Sequence, residues 1–166
     1  MIAKGLITHR ANDQRLPTQT IERAYVLTQI CADIGTAGDS RLVFKGGTLL
    51  RLCYFADYRY SADLDFSSIN GLSSDDATAL VAAAADTCRK RLELPELEVV
   101  QEDGNAPWLS YVGLLSAKAR KIKLDISDTE LVKSRTRITL QQRWPDIPEG
   151  AAIDGYTLGV VAAEKV

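Results

Sequence analysis

Three short segments of the sequence carry residue types that could together perform phosphoryl chemistry. The first is Lys45-Gly46-Gly47-Thr48, a glycine pair between a predicted strand and a predicted helix. Such a pair exposes backbone N–H groups at a helix N-terminus, where a phosphate group can bind. On its own, a glycine pair more often makes only a tight turn, with Thr48 capping the helix that follows.

The second and third segments place carboxylates on predicted strands. In Ser61-Ala-Asp63-Leu-Asp65-Phe66 the polar and apolar residues alternate. Asp63 and Asp65 therefore lie on one face of a strand, with Cα atoms about 6.5 Å apart, close enough to hold Mg²⁺ together. Lys121-Ile-Lys123-Leu-Asp125 alternates in the same way. Taken alone, each segment is more typical of a solvated strand face.

The three segments together predict a specific chemistry. Two strands of one sheet can present all three aspartates on a common face, with the glycine turn at its edge. Three carboxylates beside a phosphate-binding turn suit two-metal phosphoryl or nucleotidyl transfer, in which Mg²⁺ or Mn²⁺ activates the attacking oxygen and stabilises the leaving pyrophosphate. The predicted metal ligands are Asp63, Asp65 and Asp125. Asp125 is also the predicted base toward the acceptor hydroxyl, and the nucleoside triphosphate (NTP) phosphates bind at Gly46, Gly47 and Thr48.

The elements that must position these residues mix helices and strands. We predict helices over residues 17–34, 48–54 and 73–92, and strands over residues 41–45, 62–67, 97–101, 108–115, 122–127 and 135–140. The first helix starts at Pro17 and is capped by Gly35. Residues 1–16 form an arm or a short helix, residues 144–148 a proline-rich turn, and residues 156–166 become helical at Ala162. This order predicts an α+β fold.

Composition narrows the class of protein. The chain has 166 residues, of which 46% are hydrophobic and 25% charged, as in a globular domain with one core. A net charge of −2 argues against coating nucleic acid by charge alone. Three scattered cysteines and one histidine make a zinc site close to impossible and favour a reducing, cytoplasmic setting. No apolar run reaches the roughly 18 residues of a membrane span.

These motifs resemble the signature of a known family. The stretches Phe44–Arg51 and Arg59–Phe66 look like the signature of the AbiEii/AbiGii toxins, nucleotidyltransferases of the DNA polymerase β superfamily. The matching residues are Gly46, Gly47, Thr48, Arg59, Ser61, Asp63, Asp65 and Phe66. Residues 123–127 resemble the strand that carries the superfamily's third carboxylate, and residues 162–165 resemble the Ala-Glu-Lys that opens the family's next helix. The resemblance covers residues 20–166 and implies a polymerase β-like fold, a mixed sheet flanked by helices.

The resemblance also implies substrates and partners. These are an NTP, Mg²⁺ (or Mn²⁺), an RNA acceptor such as the 3′ end of a tRNA, and a cognate antitoxin. It implies a catalytic or nucleotide-binding role for Lys165. Lys45 and Lys123 could contact phosphate or be simple strand-edge charges, and for Lys45 we favour the second interpretation.

The predicted C-terminal helix is a single uncapped turn. Members of the family continue with a helical region and a further Lys-Asp motif. We therefore expect residues 1–166 to be one nucleotidyltransferase domain, the front part of a longer protein.

Two other functions stay open at this point. One is a small-molecule nucleotidyltransferase of the aminoglycoside type, which uses the same site on another acceptor. The other is a catalytically silent domain that binds an antitoxin or nucleic acid, although three intact aspartates argue against it.

Overall fold

The computed structural model describes residues 3–102, 105–132, 134–141 and 143–164. The helices are α1 (Ala3–Gln14), α2 (Thr18–Ala37), α3 (Gly46–Leu49, which continues as a π-helical turn over Leu50–Tyr54), α4 (Ser74–Leu92) and α5 (Leu158–Glu164). The strands are β1 (Leu42–Lys45), β2 (Leu64–Ser68), β3 (Leu97–Val100), β4 (Trp108–Val112), β5 (Ala119–Ser127), β6 (Arg135–Thr139) and β7 (Ala152–Tyr156). Within these residues no helix is both long and apolar enough to cross a bilayer.

The strands form one seven-stranded mixed sheet in the order β3-β4-β5-β2-β1-β7-β6. β2 pairs with β5 and β1 with β7 in parallel, and the remaining pairs are antiparallel. The apolar face of the sheet packs against α2 and α4, and Phe44 stacks on Phe66 there with ring centroids 5.2 Å apart. The predicted α+β class and mixed sheet with helices are confirmed.

One face of the sheet is polar because successive side chains of a strand point to opposite faces. Leu64 and Phe66 on β2 are fully buried, whereas Asp63 and Asp65 are only half-buried. Ser67 shares the polar face but is buried, because its hydroxyl is hydrogen-bonded to Glu130 and Tyr156. The alternation predicted for this strand is therefore confirmed, although the strand itself begins at Leu64, one residue after Asp63.

The C-terminal cap predicted for the helix over residues 17–34 was wrong. α2 continues to Ala37 and is capped by Gly38, which has a φ of 75° and donates its N–H to the carbonyl of Ile34. Gly35 lies inside the helix, where a Cβ would stand 1.9 Å from the carbonyl oxygen of Ala152. The glycine thus allows α2 to lie directly against β7, and this close approach depends on a partner far along the chain.

The C-terminal region also differs from the prediction. Residues 152–156 form β7, which the sequence pattern did not reveal, and α5 begins at Leu158 rather than at Ala162. The segment contains Asp154 and Gly155, residue types that are depleted in strands. It is extended because it pairs with β1 on one side and β6 on the other. Tertiary pairing overrides the local propensity here.

Candidate active site

The sheet register brings the predicted carboxylates together. Asp65 on β2 lies directly beside Asp125 on β5, and neighbouring strands are about 4.8 Å apart. The two side chains therefore point to the same face, and Asp63, two residues before Asp65, extends the row. On the other side of β2, Lys45 lies opposite Asp65. Three neighbouring strands thus present three aspartates and a lysine on one face of the sheet.

The glycine turn is shaped around this acidic row. Gly46 has a φ of 77°, and a Cβ there would lie 2.2 Å from Oδ2 of Asp65. A Cβ on Gly47 would lie 3.2 Å from the hydroxyl oxygen of Ser61. Both glycines leave room for side chains of the motif that follows, so the backbone at the start of α3 lies against the carboxylate. The first N–H groups of a helix lack intrahelical partners and suit an anion.

Thr48 ties the turn to the carboxylate segment. Its hydroxyl donates a 2.5 Å hydrogen bond to the backbone carbonyl of Asp63, and the residue is buried. The alternative in which Thr48 caps the helix was wrong, because Lys45 occupies the cap position and makes no side-chain cap bond. The predicted contact between Thr48 and phosphate stays a prediction, and the hydroxyl's observed role is to fix the spacing between turn and strand.

The three carboxylates repel one another, and two nearby lysines offset part of their negative charge. Burial raises the pKa of Asp65, and the negative charges of Asp63 and Asp125 raise it further, against the opposing effect of Lys45 and Lys123. Nζ of Lys123 lies 3.2 Å from Oδ2 of Asp125, and this hydrogen bond raises the pKa of the lysine. An aspartate whose pKa is raised by burial and by neighbouring carboxylates is a candidate ligand for a cation.

The three carboxylates are suitable ligands for a hard divalent cation, although they do not surround one common point. Carboxylate oxygens are the ligands that Mg²⁺ and Mn²⁺ prefer. Among the described residues, no three Asp, Glu, His or Cys side chains converge closely enough to hold one ion. Asp125 is half exposed and its carboxylate is hydrogen-bonded to Lys123, so ligation of one ion by all three aspartates requires side chains of the site to move.

A fourth carboxylate lies beside the site and was not predicted from the sequence. Glu130, in the loop after β5, forms an ion pair with Lys45 and accepts a 2.6 Å hydrogen bond from the hydroxyl of Ser67. The Tyr156 hydroxyl also donates to it at 3.2 Å. Burial alone would raise the pKa of Glu130, but the bonds from Lys45 and Ser67 outweigh burial and lower it. Lys45 is therefore more than a strand-edge charge: Glu130 holds it beside Asp65.

No local signal in the sequence marks Glu130, because it lies in a loop and its partners come from β1, β2 and β7. The sequence drew attention to Lys45 only through its place next to the glycine turn. Of the other predicted site residues, Lys123 lies beside Asp125 as described, and Lys165 lies outside the described residues.

The chain matches the model of a known protein family. The model of the family described as "Nucleotidyl transferase AbiEii toxin, Type IV TA system" matches residues 35–166. The chain belongs to the AbiEii family. The matched range includes the glycine turn and all three aspartates of the site. No curated protein sequence matches the chain significantly.

Solved structures support the fold of this AbiEii-family chain. It is similar to JHP933 from Helicobacter pylori, with a TM-score of 0.56 and 18% identity, over 90% of this chain and 57% of the other. A candidate nucleotidyltransferase from H. pylori matches equally well, with a TM-score of 0.56 and 18% identity, over 90% of this chain and 59% of the other. At such identities the likeness concerns the fold alone. The chain spans less than two thirds of the length of either protein.

Proposed function

We propose that this AbiEii-family chain carries the nucleotidyltransferase centre of a toxin, in a polymerase β-like fold. The centre transfers a nucleoside monophosphate from an NTP to a hydroxyl group of an RNA. The observation that carries the proposal is the pairing of Asp65 with Asp125 directly beside the Gly46–Gly47 turn. This arrangement supports the proposal, because one substrate can contact the carboxylates and the backbone N–H groups of the turn at the same time.

Each part of the site has a role in this reaction. Asp63, Asp65 and Asp125 hold Mg²⁺ (or Mn²⁺), which when bound neutralises phosphate charge and makes the attacking hydroxyl more acidic. The backbone at the start of α3 binds the triphosphate. The acceptor oxygen bonds to the α-phosphorus, the α–β phosphoanhydride bond breaks, and pyrophosphate leaves. Asp125, the most exposed of the three, accepts the proton of the acceptor hydroxyl.

Two lysines complete the proposed site, and two further partners follow from the family. Lys123 and Lys165 neutralise phosphate charge. Lys123 does so by giving up its hydrogen bond to Asp125 and donating to a phosphate oxygen instead. The acceptor that we propose first is the 3′ end of a tRNA, which places the reaction in the cytoplasm. The family's type IV toxin–antitoxin description supports a cognate antitoxin as the protein partner.

The test is a labelling experiment with the whole chain. Total RNA is incubated with Mg²⁺ and with each of the four NTPs in turn, labelled either on the α-phosphate or on the γ-phosphate. We expect label from the α-phosphate in RNA, none from the γ-phosphate, and no label in the presence of EDTA. The Asp65→Asn variant is the catalytic control.

The alternatives give other outcomes. Consumption of NTP with the α-label on a small molecule in place of RNA indicates the aminoglycoside-type reaction. Transfer of the γ-label contradicts nucleotidyl transfer. No consumption of any NTP, by a chain that still folds and binds an antitoxin or RNA, indicates the silent domain.

A further inference from the structure

An open cavity of about 870 Å³ lies outside the acidic row, where the end of α1 meets the loop 55–60 and the segment around residue 143. Pockets of this size hold molecules as large as a nucleotide. Neither the carboxylates nor the glycine turn lines this cavity. The residues that matter for its chemistry are Gln14, Arg51, Asp57, Tyr58, Arg59 and Arg143.

The described residues that line the cavity carry more positive than negative charge. Arg51, Arg59 and Arg143 line it, and Asp57 is the one carboxylate among its described lining residues. Within the part of the chain that the structure describes, no carboxylate forms an ion pair with any of the three arginines. Burial lowers the pKa of Arg143, and the positive charge of Arg51 lowers it further. In a chain of net charge −2, this is a local basic patch.

Two of the arginines are fixed in place by the fold. Arg143 donates a 2.9 Å hydrogen bond to the carbonyl of Arg51. Arg51 donates to the carbonyl of Tyr58, and its guanidinium lies 3.5 Å from the ring centroid of Tyr60. The Tyr60 hydroxyl donates a 2.6 Å bond to Gln14. The cavity wall therefore combines rigid cations with tyrosine rings, the two kinds of group that bind phosphates and bases of nucleic acids.

Arg59 connects the cavity to the candidate active site. Its Nη2 lies 3.8 Å from the position of a Cβ on Gly47, and Gly46 in turn lies against Asp65. The side chain is exposed, and the ring of Tyr58 lies 5.9 Å from its Cζ. A phosphate group bound beside Arg59 would thus belong either to the substrate that binds at the glycine turn or to the RNA strand that reacts with that substrate.

We propose that this arginine-lined cavity binds a nucleotide phosphate group, with the adjacent base on the tyrosines, as an extension of the active site. The proposal rests on the proposed function above. Two sources share this chemistry: the distal part of the bound NTP, and a nucleotide of the acceptor RNA next to the reacting end. The experiment below separates them.

The experiment uses two exposed residues of opposite charge on the same loop. Arg59→Gln removes a cation, and Asp57→Asn removes the anion two residues before it. Arg41→Gln, just before β1 and at the end away from the glycine turn, is the matched control. Binding of each NTP is measured with Ca²⁺ in place of Mg²⁺. Binding of a fluorescent 12-nucleotide single-stranded RNA is measured by anisotropy over a range of salt concentrations. Circular dichroism checks that each variant is folded.

We expect Arg59→Gln to weaken binding of one ligand by about tenfold and Asp57→Asn to tighten it by about threefold. If that ligand is RNA, Arg59→Gln also lowers the slope of log Kd against log salt by about 1. Arg41→Gln should bind as the wild type. The ligand that responds is the one whose phosphate occupies the cavity.

The failures of the two proposals are distinguishable. If both ligands bind the wild type and neither cavity substitution changes the affinity, the cavity proposal is overturned while the proposed function stands. If both ligands bind but no nucleotide is transferred in Mg²⁺, the proposed function fails alone. A wild-type chain that binds neither ligand overturns both proposals. Should Arg59→Gln not fold, the tightening expected for Asp57→Asn still decides.

Discussion

Next to the backbone of Gly46 there is space for only one side chain, and the side chain of Asp65 occupies it. Gly46 has a positive φ, and the carboxylate oxygen of Asp65 lies where a Cβ of residue 46 would be. A glycine is therefore needed at this position for two separate reasons, backbone conformation and contact. The sequence pattern indicated the turn, but only the structure shows that the glycine makes room for the aspartate.

Gly46→Ala separates these two reasons when it is compared with Gly71→Ala. Both glycines have a φ of 77°, but nothing lies within 4 Å of a Cβ at Gly71. We expect Gly71→Ala to lose about 1 kcal/mol of stability through backbone strain and to keep its activity. Gly46→Ala should lose more stability and also its nucleotidyl transfer, because Asp65 must move. Thermal melts and the α-label assay measure both effects, and equal activity in the two variants would contradict the assigned contact.

Asp65→Asn tests function against stability at the centre of the acidic row. Burial and the nearby charges of Asp63 and Asp125 make the negative charge of Asp65 unfavourable in the folded protein without a cation, and they raise its pKa. We expect the variant to be as stable as the metal-free wild type or up to about 1 kcal/mol more stable, a rise in Tm of roughly 2–4 °C. It should lose the stabilisation by Mg²⁺ and NTP together with transfer.

Thermal melts with EDTA, and with Mg²⁺ and NTP, measure this. A variant that melts well below the metal-free wild type and still consumes NTP would show that Asp65 is a structural residue.

At the scale of elements, local patterns predicted most helices and strands but not those that depend on a distant partner. α4 begins where the sequence predicts, because Ser73 accepts a hydrogen bond from the N–H of Asp76 and so caps it locally. β7 was not predicted, because its strand conformation comes from pairing on both edges. The role of Gly35 was not predicted for the same reason, since the carbonyl of Ala152 that it accommodates is far away in sequence.

The packing of α2 on β7 predicts a large effect at Gly35. In Gly35→Ala the new methyl group meets a backbone carbonyl, which cannot rotate away as a side chain can. We expect a loss of about 3 kcal/mol in the free energy of unfolding, at the upper end for overpacking. The control is Gly5→Ala in α1, where nothing lies within 4 Å and alanine should be neutral or stabilise by up to about 1 kcal/mol. Urea unfolding of both variants is the measurement; similar midpoints would show that α2 does not approach β7 as described.

At the scale of the whole molecule, the site is made by topology. Asp65 and Asp125 are sixty positions apart in the sequence, and α4, β3 and β4 lie between their strands. Parallel pairing of β2 with β5 requires such a crossover. Strand periodicity could predict that both aspartates face the same side, but not that their strands are neighbours in this register. The contact of Glu130 with Lys45 and the cavity around Arg59 also depend on the complete fold, so neither was predicted.

Metal binding by the three aspartates can be measured without knowing the acceptor. Metal-free protein is titrated with Mn²⁺ in the presence of a non-hydrolysable NTP analogue, and free Mn²⁺ is followed by electron paramagnetic resonance. The wild type is compared with Asp125→Asn and with the control Asp128→Asn, which removes an exposed carboxylate just beyond β5. We expect the wild type and Asp128→Asn to bind Mn²⁺ alike, and Asp125→Asn to bind it at least tenfold more weakly. Equal binding by all three proteins would contradict the claim that the paired strands form a metal site.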